Sequence, residues 1–284
     1  MKTMKEPLTI TIILISLYLC SACSSVQSSK EAKGESELTT NNETINPGRS
    51  AIDTANYRKI LADISNGDTT GKWPAKNPIP LPGSIFPFHR VLAFYGNLYS
   101  KRMGILGELP KGEMLAKLKG EVKKWQAADT SLPVIPALHY VAVTAQGAGG
   151  KDGKYRYRMP FHQIDTIVNW AKEITALTFL DIQVGHSTVA AEVPVLETYL
   201  KMPTVHLGID PEFSLKNGEV PGSKIGTFNP DDINAAIDYL ASLVKKYNLP
   251  PKILIVHRFT QGMVRGTEKI KVVPKADSNF AVLA

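Results

Sequence analysis

Histidines and carboxylates recur in this chain at places where a core strand would carry aliphatic residues alone. The apolar run Arg90 to Tyr95 leads into Gly96-Asn97, and a second run carries His139-Tyr140. A third carries Asp181-Ile182-Gln183, with His186 in the turn after it. A fourth reads His206-Leu207-Gly208-Ile209-Asp210-Pro211-Glu212, and a fifth ends in His257-Arg258-Phe259-Thr260-Gln261. Strand side chains alternate, so His206, Gly208 and Asp210 share one face, with Glu212 in the loop beyond. Gathered at one end of a sheet, Asp181, Gln183, Asp210, Glu212 and His257 form a cleft where burial and repulsion drive carboxylate pKa values apart. A carboxylate that stays ionised beside one kept protonated is what glycosidic cleavage requires, and Asp210 with Glu212 is the best pair. The expected catalytic set is Asp181, Asp210 and Glu212 as acidic groups, with His257 as a helper.

Substrate contacts are expected from Tyr95, Asn97, Glu108, His139, Gln183, His186, His206 and Gln261. Tyr95, Tyr99, Tyr140 and Phe259 are candidates for aromatic faces at the mouth of the site. Two rival readings use the same residues. His139, Asp181, His206, Asp210 and His257 offer nitrogen and oxygen ligands to zinc or manganese. No tight ligand motif such as His-Glu-x-x-His accompanies them, so no metal ligand and no cofactor is assigned. The other rival is a cleft that captures a ligand or partner, its polar ring supplying hydrogen bonds instead of proton transfer. For any one of these residues, a hydrogen bond into the core is the ordinary alternative.

The elements that must position them alternate between strand-like and helix-like runs, the pattern of an α/β fold on a parallel sheet. Strands are expected at Arg90 to Tyr95, Val134 to Val143, Leu177 to Val184, Thr204 to Ile209 and Lys252 to Val256, with a sixth beginning at Ile270. Helices are expected at Lys111 to Ala128, Pro160 to Ile174, Thr188 to Leu200 and Pro230 to Tyr247. The last has clear boundary signals: Asn229 as cap, Pro230 at N1, Asp231 and Asp232 in the first turn, Lys245 and Lys246 in the last. Between Tyr95 and Lys111 the glycines are wrongly spaced for a dinucleotide fingerprint, which argues against a nucleotide-binding Rossmann domain. Polar residues at the carboxyl ends of successive strands favour a (β/α) barrel of the TIM type, with an open parallel sheet as the alternative.

Residues 1–23 read as a lipoprotein signal peptide. Lys2 and Lys5 precede an apolar run from Leu8 to Leu19, too short for a comfortable membrane span, and Cys20-Ser21-Ala22-Cys23 follows as a lipobox with Cys23 as the lipidated residue. The expected location is a cell or outer membrane, lipid-anchored, with the domain outside the cytoplasm. The chain has 2 cysteines, both in this leader, so the remainder has neither disulfides nor thiol chemistry. Residues 24–50 are polar and charged, a tether that cannot bury enough surface to fold. Residues 51–87 combine one short helix, from Ala51 to about Gly67, with a proline-rich lead-in, and 88–284 form the α/β domain. A formal charge of +7 is spread along the chain rather than blocked, which argues against a nucleic-acid partner and leaves a glycan or small-molecule ligand.

Four segments, Phe94-Tyr95-Gly96-Asn97 with Met103 to Glu108, Leu180 to Thr188, Leu207 to Phe213 and Ile255 to Met263, resemble a group of uncharacterised exported bacterial proteins similar to TIM-barrel hydrolases. The resemblance spans about Phe88 to Thr267, and its most specific pieces are Leu-Asp-Ile-Gln-Val-Gly and Ile-Asp-Pro-Glu-Phe. In that group the barrel continues past the segment matching Val256 to Thr260, which implies two or three fewer strand-helix units here. Length agrees: roughly 200 residues follow Phe88, against about 250 in a typical eight-stranded barrel. An incomplete barrel would expose two sheet edges and part of its core. If the resemblance reaches retaining barrel glycosidases, it makes Glu212 the acid, while a nucleophile after strand seven has no counterpart.

Overall fold

The computed structural model describes residues 51–70 and 79–271, and the backbone of 280–283. The expected leader, Cys23, the tether and part of the proline-rich lead-in lie outside the described residues. Helix α1 (Thr54–Ile64) is capped by Asp53, whose carboxylate accepts hydrogen bonds from the Ala55 and Asn56 amides. Then come β1 (Arg90–Gly96), α2 (Ile105–Glu108), α3 (Lys111–Ala128), β2 (Val134–Ala145), β3 (Arg156–Arg158), α4 (Phe161–Glu173) and β4 (Leu177–Ile182). The chain continues through α5 (Val189–Glu192), α6 (Glu197–Leu200), β5 (Val205–Ile209), α7 (Pro230–Tyr247), β6 (Lys252–Val256) and β7 (Phe280–Leu283).

All strands belong to one curled sheet in the order β1-β2-β4-β5-β6-β7, each parallel to its neighbours, with β3 antiparallel beside the end of β2. Spatial order follows chain order without reversal. Leu138, Tyr140, Leu180, Ile182, Leu207, Ile209, Leu254 and Val256 pack against the buried sides of the helices in one large core. The alternate residues face the other way, where Ile135, Ala137, Leu177, Phe179 and Ile253 form a smaller cluster. This is the winding of a barrel, with α2 to α7 on one face, but β1 and β7 remain the two edges of the described sheet. The open parallel sheet is therefore the architecture, in place of a closed barrel. Ile85 and Phe86 of the lead-in cover the smaller cluster, so the apolar face expected to lie bare is partly shielded.

Several boundaries depart from expectation for local reasons. The helix expected over Thr188 to Leu200 is broken into α5, a 3-10 turn at Val193–Leu196 and α6. Pro194 lacks the amide that an uninterrupted helix needs. The sixth strand starts at Phe280, not Ile270; a 3-10 turn occupies Thr267–Lys269, and Asn234 of α7 accepts the Lys271 amide. Sequence gave no sign of β3, whose three residues Arg156-Tyr157-Arg158 do not make an apolar pattern. Helix α7 behaves as its signals dictate, with a reciprocal capping box between Asn229 and Asp232 and Asn248 in the left-handed conformation at its end.

Candidate active site at the carboxyl ends of the strands

Register brings the polar residues together. Tyr95 lies opposite His139 across β1 and β2, while Asp181 lies opposite Gly208 across β4 and β5. His257 follows β6 directly, its amide donating to the Ile209 carbonyl of β5. A β-bulge at Val141/Val143 shifts the pairing of β2 with β4. Beyond it β2 continues into its pairing with β3, so the bulge marks where the strand leaves the cleft floor for the rim. Gly104 and Gly107 let α2 sit directly on the end of β1: a Cβ on either would fall 2.4 Å from the Tyr95 carbonyl oxygen or 2.1 Å from that of Asn97. The glycines of this loop thus serve close backbone packing, not phosphate binding.

The result is a cleft of about 640 Å³ lined by Tyr95, His139, Gln183, Asp210, Glu212 and His257, with Ala93, Met103, Ala145, Phe213 and Phe259 around them. Its floor is Asp181, completely buried. Its Oδ2 accepts a 3.1 Å hydrogen bond from the Tyr95 hydroxyl. Its Oδ1 lies 3.1 Å from His257 Nε2 and 3.5 Å from His139 Nε2. Those distances are within ion-pair reach, yet none of the three atoms makes a hydrogen bond of acceptable direction. The rings of Tyr95, His139 and His257 enclose the cluster, their centroids 5.1 to 5.7 Å apart.

The two aspartates are driven apart electrostatically. Burial alone would raise the Asp181 carboxyl, but the adjacent imidazoles hold it well below the usual carboxylate range. His257 is raised in return, the charge of Asp181 outweighing the effect of burial. Asp210 is pushed up to about 6, first by burial and then by the negative charge of Asp181. One Asp210 oxygen accepts the Glu212 amide at 2.9 Å, capping the 3-10 turn Pro211–Phe213, and the other accepts from Gln183 Nε2 at 3.3 Å. Gln183 is itself oriented by the Ala145 amide, which donates to its Oε1.

Of the residues expected from sequence, Tyr95, His139, Gln183, Asp210, Glu212 and His257 line the cleft, and Asp181 forms its floor. The others lie elsewhere. Asn97 is buried and organises the turn after β1, donating to the Val141 carbonyl and accepting the Tyr99 amide. His206 is one layer deeper, its Nδ1 accepting the Ile253 amide. His186 belongs to the rim, its Nε2 2.7 Å from the Glu219 carbonyl oxygen and its ring against Tyr155. Glu108 and Gln261 are exposed outside the cleft lining. Among the expected aromatic faces, Tyr95 and Phe259 line the cleft. Tyr140 points to the helix side, where its hydroxyl donates to Gln163, and Tyr99 is exposed away from the lining. Sequence reasoning missed Phe213, Met103 and the role of Gly208. A Cβ on Gly208 would lie 2.3 Å from Asp181 Oδ1 and 2.6 Å from His139 Nε2. Its position on the His206-Asp210 face was the available signal. No family model, curated protein or solved structure matches the chain.

Proposed function

We propose that this chain is an exported, lipid-anchored protein whose half-barrel domain hydrolyses a neutral, polyhydroxylated substrate of the glycan class. The observation carrying this reading is that Asp210 and Glu212 enter one cleft flanked by the aromatic faces of Tyr95 and Phe259. Paired carboxylates supply the acid and base of glycosidic cleavage, and aromatic faces suit the apolar sides of sugar rings. Among the described residues no lysine or arginine lines the cleft, which disfavours phosphorylated or sulfated substrates. Sequential strand order with α2 to α7 on one face supports kinship with (β/α) barrels, whose sites occupy this same end. The lipid anchor on Cys23 is supported by the leader sequence.

Two experiments test the reading. Full-length protein in detergent is assayed against a glycan panel; Asp210→Asn and Glu212→Gln are expected to lose turnover at least a hundredfold, and unchanged turnover in both overturns the assignment. Saturable glycan binding without any turnover would replace hydrolysis by capture. For the anchor, palmitate labelling of the expressed chain should vanish in Cys23→Ala, and label that persists would remove it.

A further inference from the structure

We propose that the floor of the cleft is a binding site for a divalent first-row transition ion, zinc foremost, held by His139 Nε2, Asp181 Oδ1 and His257 Nε2. The inference takes this cleft to be the active site, as above, but does not depend on which bond is cleaved there.

Four observations converge. The three atoms lie within 4.8 Å of one another, the separations to Asp181 Oδ1 being 3.1 and 3.5 Å. Ligands at zinc-nitrogen and zinc-oxygen distances around a tetrahedral centre stand about 3.3 Å apart, so the spacing suits a shared ion. Second, all three atoms are buried without a hydrogen bond, though they are polar and close together. A bound cation would satisfy all three together. Third, Gly208 leaves free the space that a Cβ would take from Asp181 Oδ1 and His139 Nε2. Fourth, the Tyr95 hydroxyl fixes Asp181 Oδ2 and turns Oδ1 alone toward the imidazoles, the kind of support that ligating carboxylates receive.

Two imidazoles and one carboxylate suit zinc, manganese or ferrous iron better than calcium or magnesium, which prefer all-oxygen sites. His206 stands outside the group: its Nδ1 accepts from the Ile253 amide, so in the neutral ring the buried Nε2 carries the proton and has no lone pair for an ion. Three protein ligands are the number found in catalytic zinc centres, whereas structural centres have four. An ion there would activate a bound water at neutral pH or polarise an electrophile in the cleft that Asp210 and Glu212 also line.

The test uses untagged full-length protein in detergent, stripped with a chelator and titrated with Zn2+ in competition with a chromophoric chelator, then loaded with Co2+ for its visible spectrum. One equivalent should bind, with a cobalt d–d band. His139→Ala, His257→Ala and Asp181→Asn should each weaken zinc at least a hundredfold. Tyr95→Phe, which removes no ligand, should weaken it about tenfold and serves where a ligand variant does not fold. Absence of stoichiometric binding by the folded wild-type chain overturns the proposal, as does affinity unchanged in all of the ligand variants, which would mark a surface site. Glycan turnover by a protein that binds no stoichiometric metal would overturn the metal site and leave the hydrolytic reading intact. Stoichiometric metal without turnover would do the reverse.

Discussion

Two carboxylates among the described residues, Asp181 and Glu192, are completely buried, and they are treated in opposite ways. Glu192, at the end of α5, accepts from Arg156 Nε at 2.8 Å and Arg158 Nε at 2.7 Å, and the Ser187 hydroxyl also donates to it. That network pins β3 to the end of α5 and satisfies both oxygens. Asp181 has one oxygen satisfied by Tyr95, while the other faces two imidazoles without a directed hydrogen bond. Burial of charge therefore carries no functional meaning by itself. What separates the two is whether the surrounding groups were placed to complete the carboxylate or to converge with it on a shared point.

The sharpest way to break this contrast is a pair of isosteric changes. Asp181→Asn should abolish turnover, by a thousandfold or more if it both ligates and orients, while leaving the urea midpoint of the metal-free protein unchanged or higher. Glu192→Gln should do the opposite. It leaves Arg156 and Arg158 facing each other without their shared anion, a loss of about 3 kcal/mol, with turnover of the remaining folded protein retained. Equal stability losses in the two variants would erase the distinction. Urea denaturation with parallel assays decides it.

A third buried charge sharpens the comparison. Lys252 at the start of β6 donates to the Met202 and Val205 carbonyls, and burial pulls its ammonium down to about 7. Its folded pKa lies below the unfolded value near 10.5, so between these limits the unfolded chain holds more protons. Stability should thus rise with pH across that window and fall as pH drops toward 7. The expected gain from pH 7.5 to 9 is up to about 2 kcal/mol. His206, the facing titratable group, stays neutral throughout because burial and Lys252 depress it. Lys252→Met should flatten the profile, and an equal slope in that variant would assign the effect elsewhere. The smallest expected effect is at Tyr140, where Tyr140→Phe removes a buried hydroxyl from Gln163 and should cost about 1 kcal/mol with no change in turnover. A turnover defect there would put Tyr140 back at the site from which its orientation removes it.

Sequence reading succeeded where one local rule had no competitor. Strands β4, β5 and β6 are short, mainly apolar runs buried on both faces, and α7 was placed to the residue because cap, dipole and periodicity agree. It failed where tertiary context decides. Whether six strands close cannot be read from alternation along each one, and Pro194 was outweighed by an otherwise helical pattern. Within the site, the alternation rule placed His206, Gly208 and Asp210 on one face, but depth along the strand separated them: His206 packs against Phe179 beneath the cleft, and Asp210 lines it. The convergence of His139 with His257 is invisible in sequence because it depends on three intervening strand pairings. Glu108 and Gln261 looked functional only through neighbours, and their own side chains are exposed outside the lining.

Chain order matching strand order has a consequence for how the molecule is made. Each new strand leaving the ribosome meets a partner that has already emerged, so the sheet can grow vectorially from β1 through local pairings of low sequence separation. The last of the three converging side chains, His257, arrives only when β6 docks on β5. Nascent chains released before that point would own a stable half of the sheet and no complete cluster, so synthesis itself times the moment at which the cleft becomes competent.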